Sequence, residues 1–174
     1  MENVKHEEYQ YLELIKNILE NGSDEQTRNG ITKVLFGCNM RFSLRDGKIP
    51  ILTTKKTAWK TCLKELLWFI RGSTDNDELK VQNVHIWDKN ASPEFLKTRN
   101  LDYEEGELGP IYGFQWRHFN AEYKTRYDDY NNQGIDQLME VIECLKDEKQ
   151  RTSRRLIVTA WNPCQLDKMA LPPC

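Results

Sequence analysis

The sequence predicts an α+β fold. Three stretches place apolar residues at helical spacing, and several short runs either alternate apolar with polar residues or are apolar throughout. At 174 residues the chain is long enough to bury a core without disulfide or metal staples.

In chain order, residues 9–20 read as a helix with Leu12, Ile15 and Leu19 among its apolar positions, and Asn21-Gly22 reads as a left-handed stop. Residues 31–36 and 39–44 read as strands, the second from the alternation of Met40, Phe42 and Leu44, with Arg45-Asp46-Gly47 as the turn that follows. Residues 57–71 read as a helix apolar on more than one stripe, hence buried on most sides, and Gly72 ends it. Residues 88–108 read as an irregular polar excursion on the surface, and Gly109-Pro110-Ile111-Tyr112-Gly113 as a loop. Residues 134–147 give a third helix, with Ile135, Leu138, Met139, Ile142 and Leu145 on one face. Lys149–Arg155 reads as a basic connector. Leu156–Trp161 is apolar on both faces, as a central strand would be, and Asn162-Pro163 breaks it. Such a strand needs sheet on both sides, so a chain stopping at Cys174 reads as cut rather than finished. No repeat or low-complexity segment is present.

Composition narrows the function. Twenty-five Lys and Arg against 27 Asp and Glu give a net charge of −2, which argues against a strongly basic nucleic-acid binder. No apolar run approaches the ~20 residues of a membrane span, and the first residues, rich in glutamate, lack a secretory pattern. The five cysteines form no CxxC pair and the three histidines are scattered, so no metal site is expected. Free thiols without a signal peptide point to the cytosol or nucleus.

Several residues invite two readings. Cys174 follows Pro172-Pro173, a stiff pair that would hold a nucleophile still; it also reads as an inert terminal thiol. Glu65 lies inside the most apolar helix, as a general acid or base with a raised pKa or as a buried structural partner. Arg154 and Arg155 could clamp a phosphate or lie on a solvated loop; in a strand they would face opposite ways, so a joint role needs the loop or two different sites. Arg28, in Thr-Arg-Asn-Gly, is a second candidate anion contact. His85-Ile86-Trp87-Asp88, with Tyr112 and Trp116, reads as a wall for a flat ligand or as core.

Together these pieces form one pattern. The blocks Glu65-Leu-Leu-Trp-Phe69, Ile86-Trp-Asp88, Gly106-Glu-Leu-Gly-Pro-Ile-Tyr-Gly-Phe-Gln-Trp-Arg117, Ser153-Arg-Arg155, Ala160-Trp-Asn-Pro163 and Met169-Ala-Leu-Pro-Pro-Cys174 closely resemble the thymidylate synthase family, in family order, from about Tyr9 onward. The resemblance implies a mixed β-sheet with helices packed on one face and a homodimer formed by the other. It implies reductive methylation of deoxyuridylate (dUMP) to thymidylate (dTMP), with 5,10-methylene-tetrahydrofolate giving both the carbon and the hydride, and with no metal. By the same resemblance Cys174 is the catalytic thiol that attacks C6 of the uracil ring. Glu65 organises proton transfers and ordered water, and Tyr112 is associated with removal of the C5 proton. Arg28 matches a phosphate-binding arginine, although Arg-Asn-Gly stands where Arg-Thr-Gly is usual. Arg154 and Arg155 match the pair that reaches the neighbouring subunit's phosphate, and Ile86, Trp87 and Leu171 match folate-contacting positions. Asn90 lies where some members place a tryptophan, and Lys55 and Lys56 lie near the folate's glutamyl tail.

On this reading, residues 1–174 are the N-terminal part of one synthase domain. The family's second half, with the histidine beside the cysteine, a further phosphate arginine and the asparagine that reads the pyrimidine, lies beyond them. A terminal carboxylate on Cys174 disfavours its thiolate. The expectation is therefore an isolated chain without synthase activity and of poor stability. The alternatives are a non-catalytic fragment, including one from a split or interrupted gene, and a pyrimidine hydroxymethylase of the same superfamily.

Overall fold

Helix α1 (Tyr9–Asn21) forms where the periodicity predicts it. The computed structural model describes residues 5–27 and 30–173. Gly22 ends α1 in an extended conformation, φ −70°, so the expected left-handed stop is not what makes it glycine. A Cβ there would lie 2.5 Å from the Ile18 carbonyl oxygen, and that close approach is the constraint.

Strand β1 (Ser23–Thr27) pairs antiparallel with β2 (Gly30–Val34), in register from Ser23 opposite Val34 to Thr27 opposite Gly30. The strand predicted over 31–36 is thus shorter and begins one residue earlier. Its partner, Ser-Asp-Glu-Gln-Thr, is wholly polar and carries no apolar signal. The strand predicted over 39–44 does not form; side chains at the start of α1 and just before it occupy its backbone groups in place of a ladder. Gln10 donates to the Arg41 carbonyl at 2.7 Å and accepts from the Arg41 N–H at 2.8 Å. Glu7 accepts from the Ser43 N–H at 2.9 Å. Glu8 accepts from the backbone N–H and hydroxyl groups of both Thr53 and Thr54 at 2.6–2.9 Å. These bonds, the Thr54 N–H first, lower its pKa from 4.5 to about 2.

The backbone groups into two units, Met1–Thr57, which holds the elements above, and Ala58–Cys174. The second contains α2 (Trp59–Ile70), α3 (Asp77–Val81), α4 (Pro93–Thr98), α5 (Tyr112–His118) and α6 (Gln137–Lys146). α5 packs against both α2 and α6. Gly113 permits the first of these contacts, since a Cβ there would sit 2.5 Å from the Phe69 carbonyl oxygen. One apolar cluster gathers Trp68, Leu79, Leu96, Leu108, Ile111 and Met169; a second gathers Phe114, Ala121, Tyr123 and Tyr130. Tyr103 packs against both.

Three expectations for this unit are corrected. α2 is not buried on most sides: Trp68 and Phe69 are buried, but Leu63, Leu66 and Leu67 are each 45–47% exposed. The 88–108 stretch is not a loose surface excursion. Ser92 caps α4 by accepting from the Phe95 N–H, and Ala91, Leu96 and Leu108 reach the core. Residues 156–161 are not a strand. In place of a ladder, Gln137 donates to the Thr159 carbonyl at 2.8 Å and accepts from the Thr159 N–H at 3.0 Å.

The helices with the one antiparallel β1–β2 pair make the described chain α+β. Among the described residues no helix is long and apolar enough to cross a membrane.

Candidate active site

The site grows from α2. Glu65 and Phe69 are four residues apart and therefore share a helix face. Glu65 is half-buried, and its Oε1 accepts the Trp87 indole N–H at 2.7 Å. Phe69 stacks on the Tyr112 ring at 4.9 Å between centroids. It meets Trp87 edge-on at 6.4 Å and Trp116 at 5.6 Å. Trp87 and Tyr112 are 6.1 Å apart, ring to ring. Three stretches of sequence thus bring a carboxylate, an indole N–H and a phenol around one benzyl ring.

The loop carrying Ile86 and Trp87 is braced by Asp88. Its carboxylate accepts from Asn76 at 2.8 Å and meets the His85 ring at 2.9 Å. The Asn76 bond, then the His85 contact, lowers the Asp88 pKa. Trp87 is 7% exposed and so is core as well as a hydrogen-bond donor, whereas Ile86 beside it is 51% exposed. Asn90 is half-buried one turn further on, its N–H on the Trp87 carbonyl at 2.9 Å. Leu171 is half-buried against the cluster that contains Trp87.

Not every predicted residue joins this group. Arg154 and Arg155 are exposed in an irregular segment, and among the described residues neither forms an ion pair. Cys174 and Arg28 lie outside the described residues. A cleft of about 340 Å³, lined by Arg71, Thr74, His118, Arg126, Asp128 and Tyr130, contains none of the predicted residues. Among the described residues no group of His, Cys, Asp and Glu could hold a metal ion.

Sequence reasoning missed the supports of the site. Gln115, Gln137, Asn162 and Gln165 form a buried amide network: Gln115 donates to Gln165 at 2.7 Å, Asn162 donates to Gln115 at 3.1 Å, and Gln137 donates to the Gln115 carbonyl at 2.7 Å. It ties α5 and α6 to the segment leading toward Cys174. Amides in a polar sequence give no signal of burial. Phe69 was legible only as an apolar helix residue, although its spacing from Glu65 marks the shared face.

Comparison with known proteins decides the family. The sequence pattern described as thymidylate synthase matches residues 9–174. The chain belongs to the thymidylate synthase family. It is 52% identical over 172 residues to the bifunctional dihydrofolate reductase-thymidylate synthase of Zea mays, a match covering 98% of this chain and 32% of that protein. It is 51% identical over 174 residues to the thymidylate synthase of Ascaris suum, covering 99% of this chain and 58% of that protein. The thymidylate synthase 1/2 of Encephalitozoon cuniculi is 48% identical over 171 residues, with 98% and 58% covered. The chain thus spans between about a third and three-fifths of the length of these relatives. The synthase family match runs through both backbone units and includes every residue of the Glu65 cluster.

Proposed function

We propose that the Glu65, Trp87 and Tyr112 cluster is one wall of a site where deoxyuridylate is reductively methylated to thymidylate. In this reading 5,10-methylene-tetrahydrofolate supplies the carbon and the hydride. The Cys174 thiolate adds to C6 of the uracil ring, the electron pair passes to C5, and C5 attacks the one-carbon unit; loss of the C5 proton breaks that unit's remaining bond to folate nitrogen, and hydride transfer from the folate to the carbon then expels the thiolate from C6. Glu65 organises the accompanying proton transfers, with the Trp87 N–H fixing one of its oxygens. Tyr112 serves removal of the C5 proton. Ile86, Trp87, Asn90 and Leu171 face the folate. Arg28 holds the nucleotide phosphate, and Arg154 and Arg155 reach the phosphate of a neighbouring subunit in a homodimer. The complete domain carries a mixed sheet with helices on one face, and this chain supplies its N-terminal part.

The observation that carries the reading is that Trp87 and Tyr112, from two other stretches of sequence, pack against Phe69 while the Trp87 indole N–H binds Glu65, one helical turn before Phe69. Exposed guanidinium groups on Arg154 and Arg155 suit a role toward another subunit better than one within this cluster.

The test is trapping with 5-fluorodeoxyuridylate and methylene-tetrahydrofolate, read by mass spectrometry. The chain is assayed alone and with the remaining portion of the Ascaris suum relative supplied. An adduct on Cys174 in the supplemented sample is expected. Its absence there overturns the assignment.

A further inference from the structure

The segment that runs to Cys174 is pinned at three consecutive residues. The Tyr103 hydroxyl donates to the Lys168 carbonyl at 2.8 Å. The Met169 side chain is fully buried in the larger apolar cluster. The Ala170 N–H donates to the Leu108 carbonyl at 3.0 Å. Gly109 makes room for this arrangement: its φ is +74°, and a Cβ there would lie 2.2 Å from the Lys168 carbonyl oxygen and 2.9 Å from the Tyr103 ring. Beyond Ala170 come half-buried Leu171 and the Pro172-Pro173 pair, whose fixed φ angles transmit a displacement rather than absorb it.

Tyr103 is suited to set the position of this segment. Its ring packs against both apolar clusters and meets Tyr123 edge-on at 5.9 Å, so the hydroxyl is presented from a rigid base. Burial, more than the nearby Glu107 charge, pushes its pKa up, so the proton stays available for donation across the working pH range.

We infer that Tyr103 is a positioning residue for Cys174, holding the Lys168 carbonyl and through it the stiff stretch that ends in the thiol. The inference rests on reading Cys174 as the nucleophile, but its test does not require turnover. Tyr103→Phe deletes one oxygen and keeps the ring contacts. Replacement of Tyr103 by p-aminophenylalanine returns an N–H donor at the same place.

Two measurements on the 174-residue chain decide the matter. Amide hydrogen exchange is followed at Ala170 and, as reference, at Gln115 of α5, whose N–H donates to the Ile111 carbonyl just before that helix. Alkylation by iodoacetamide is followed at Cys174, with exposed Cys164 as internal reference. In Tyr103→Phe, exchange at Ala170 is expected to quicken about five- to tenfold, the equivalent of one ordinary net hydrogen bond, while Gln115 stays within about twofold. Alkylation at Cys174 is expected to change about threefold or more with Cys164 unchanged, on the same hydrogen-bond scale. The p-amino variant should restore both. If Ala170 and Gln115 quicken together, Tyr103 is a general stabiliser and the inference is overturned. It is overturned equally if Cys174 alkylation does not move. Neither measurement involves nucleotide, so a failure here is distinct from a failure of fluorodeoxyuridylate trapping.

Discussion

Glu8 shows how much one carboxylate can organise. It collects four donors from Thr53 and Thr54, and its pKa falls from 4.5 to about 2. A carboxylate whose folded pKa is depressed contributes stability that is complete above its unfolded value and drains away as pH falls through the folded one. The clamp should therefore hold above about pH 4.5 and weaken as pH falls toward 2. The protection of the Thr53 and Thr54 amides, measured against their intrinsic exchange rate at each pH, should fall across that window. In Glu8→Gln protection should be low already at neutral pH and nearly independent of pH below it. A wild-type profile without the acid limb would show that the clamp does not hold in solution. At the same scale, Glu65 was conspicuous because a charge inside an apolar helix needs a partner, and Trp87 is that partner. Tyr103 was not conspicuous: it sits in a polar stretch where nothing local announces its reach to Lys168. Arg28 and Cys174 were legible through family resemblance far more than through their own surroundings in sequence.

Among elements, legibility followed length. α1, α2 and α6 span 10–13 residues, enough for the 3.6-residue period to show. α3, α4 and α5 span 5–7 residues, too few for a period to stand out from chance: α4 lies inside the stretch that reads as irregular, α5 begins inside the Gly109–Gly113 loop, and α3 carries no pattern of its own. Leu156–Trp161 has the composition of a central strand, but composition does not reveal whether a ladder partner is present, and Gln137 occupies the backbone of Thr159 instead. Packing between elements is set by glycine at one decisive place. The Phe69 carbonyl oxygen approaches Gly113 so closely that a Cβ would sit at 2.5 Å. Gly113→Ala should force α5 off α2 and cost about 1–3 kcal/mol, the usual range for overpacking a core contact. Urea denaturation followed by tryptophan fluorescence measures this. The stacking of Tyr112 on Phe69 should loosen in the same variant, visible as altered near-ultraviolet circular dichroism. A variant as stable as the parent would mean that the two helices do not meet this closely.

At the scale of the whole molecule, the notable property is how much large apolar surface Ala58–Cys174 leaves in water. Leu66, Leu67, Leu145, Ile157 and Trp161 are between 45% and 65% exposed. Surface of this kind marks an interaction face or an association hazard. The purified chain should bind a hydrophobic dye and sediment as larger species when concentrated. Leu67→Lys combined with Ile157→Lys should reduce both; sedimentation velocity as a single small species at every concentration would contradict it. The α+β class is legible in the mixture of helical and strand-like patterns, although of the three predicted strands only the one over 31–36 overlaps an observed strand, β2. The polar strand β1 and the side-chain substitutes for strand pairing were beyond what pattern could give. Tyr103 has a last consequence at this scale. Because one half-buried ring packs against both hydrophobic clusters, the melting of either takes a contact from the other. Heating should thus dissolve both in a single step, with no intermediate that keeps Phe114 sheltered after Trp68 is wet.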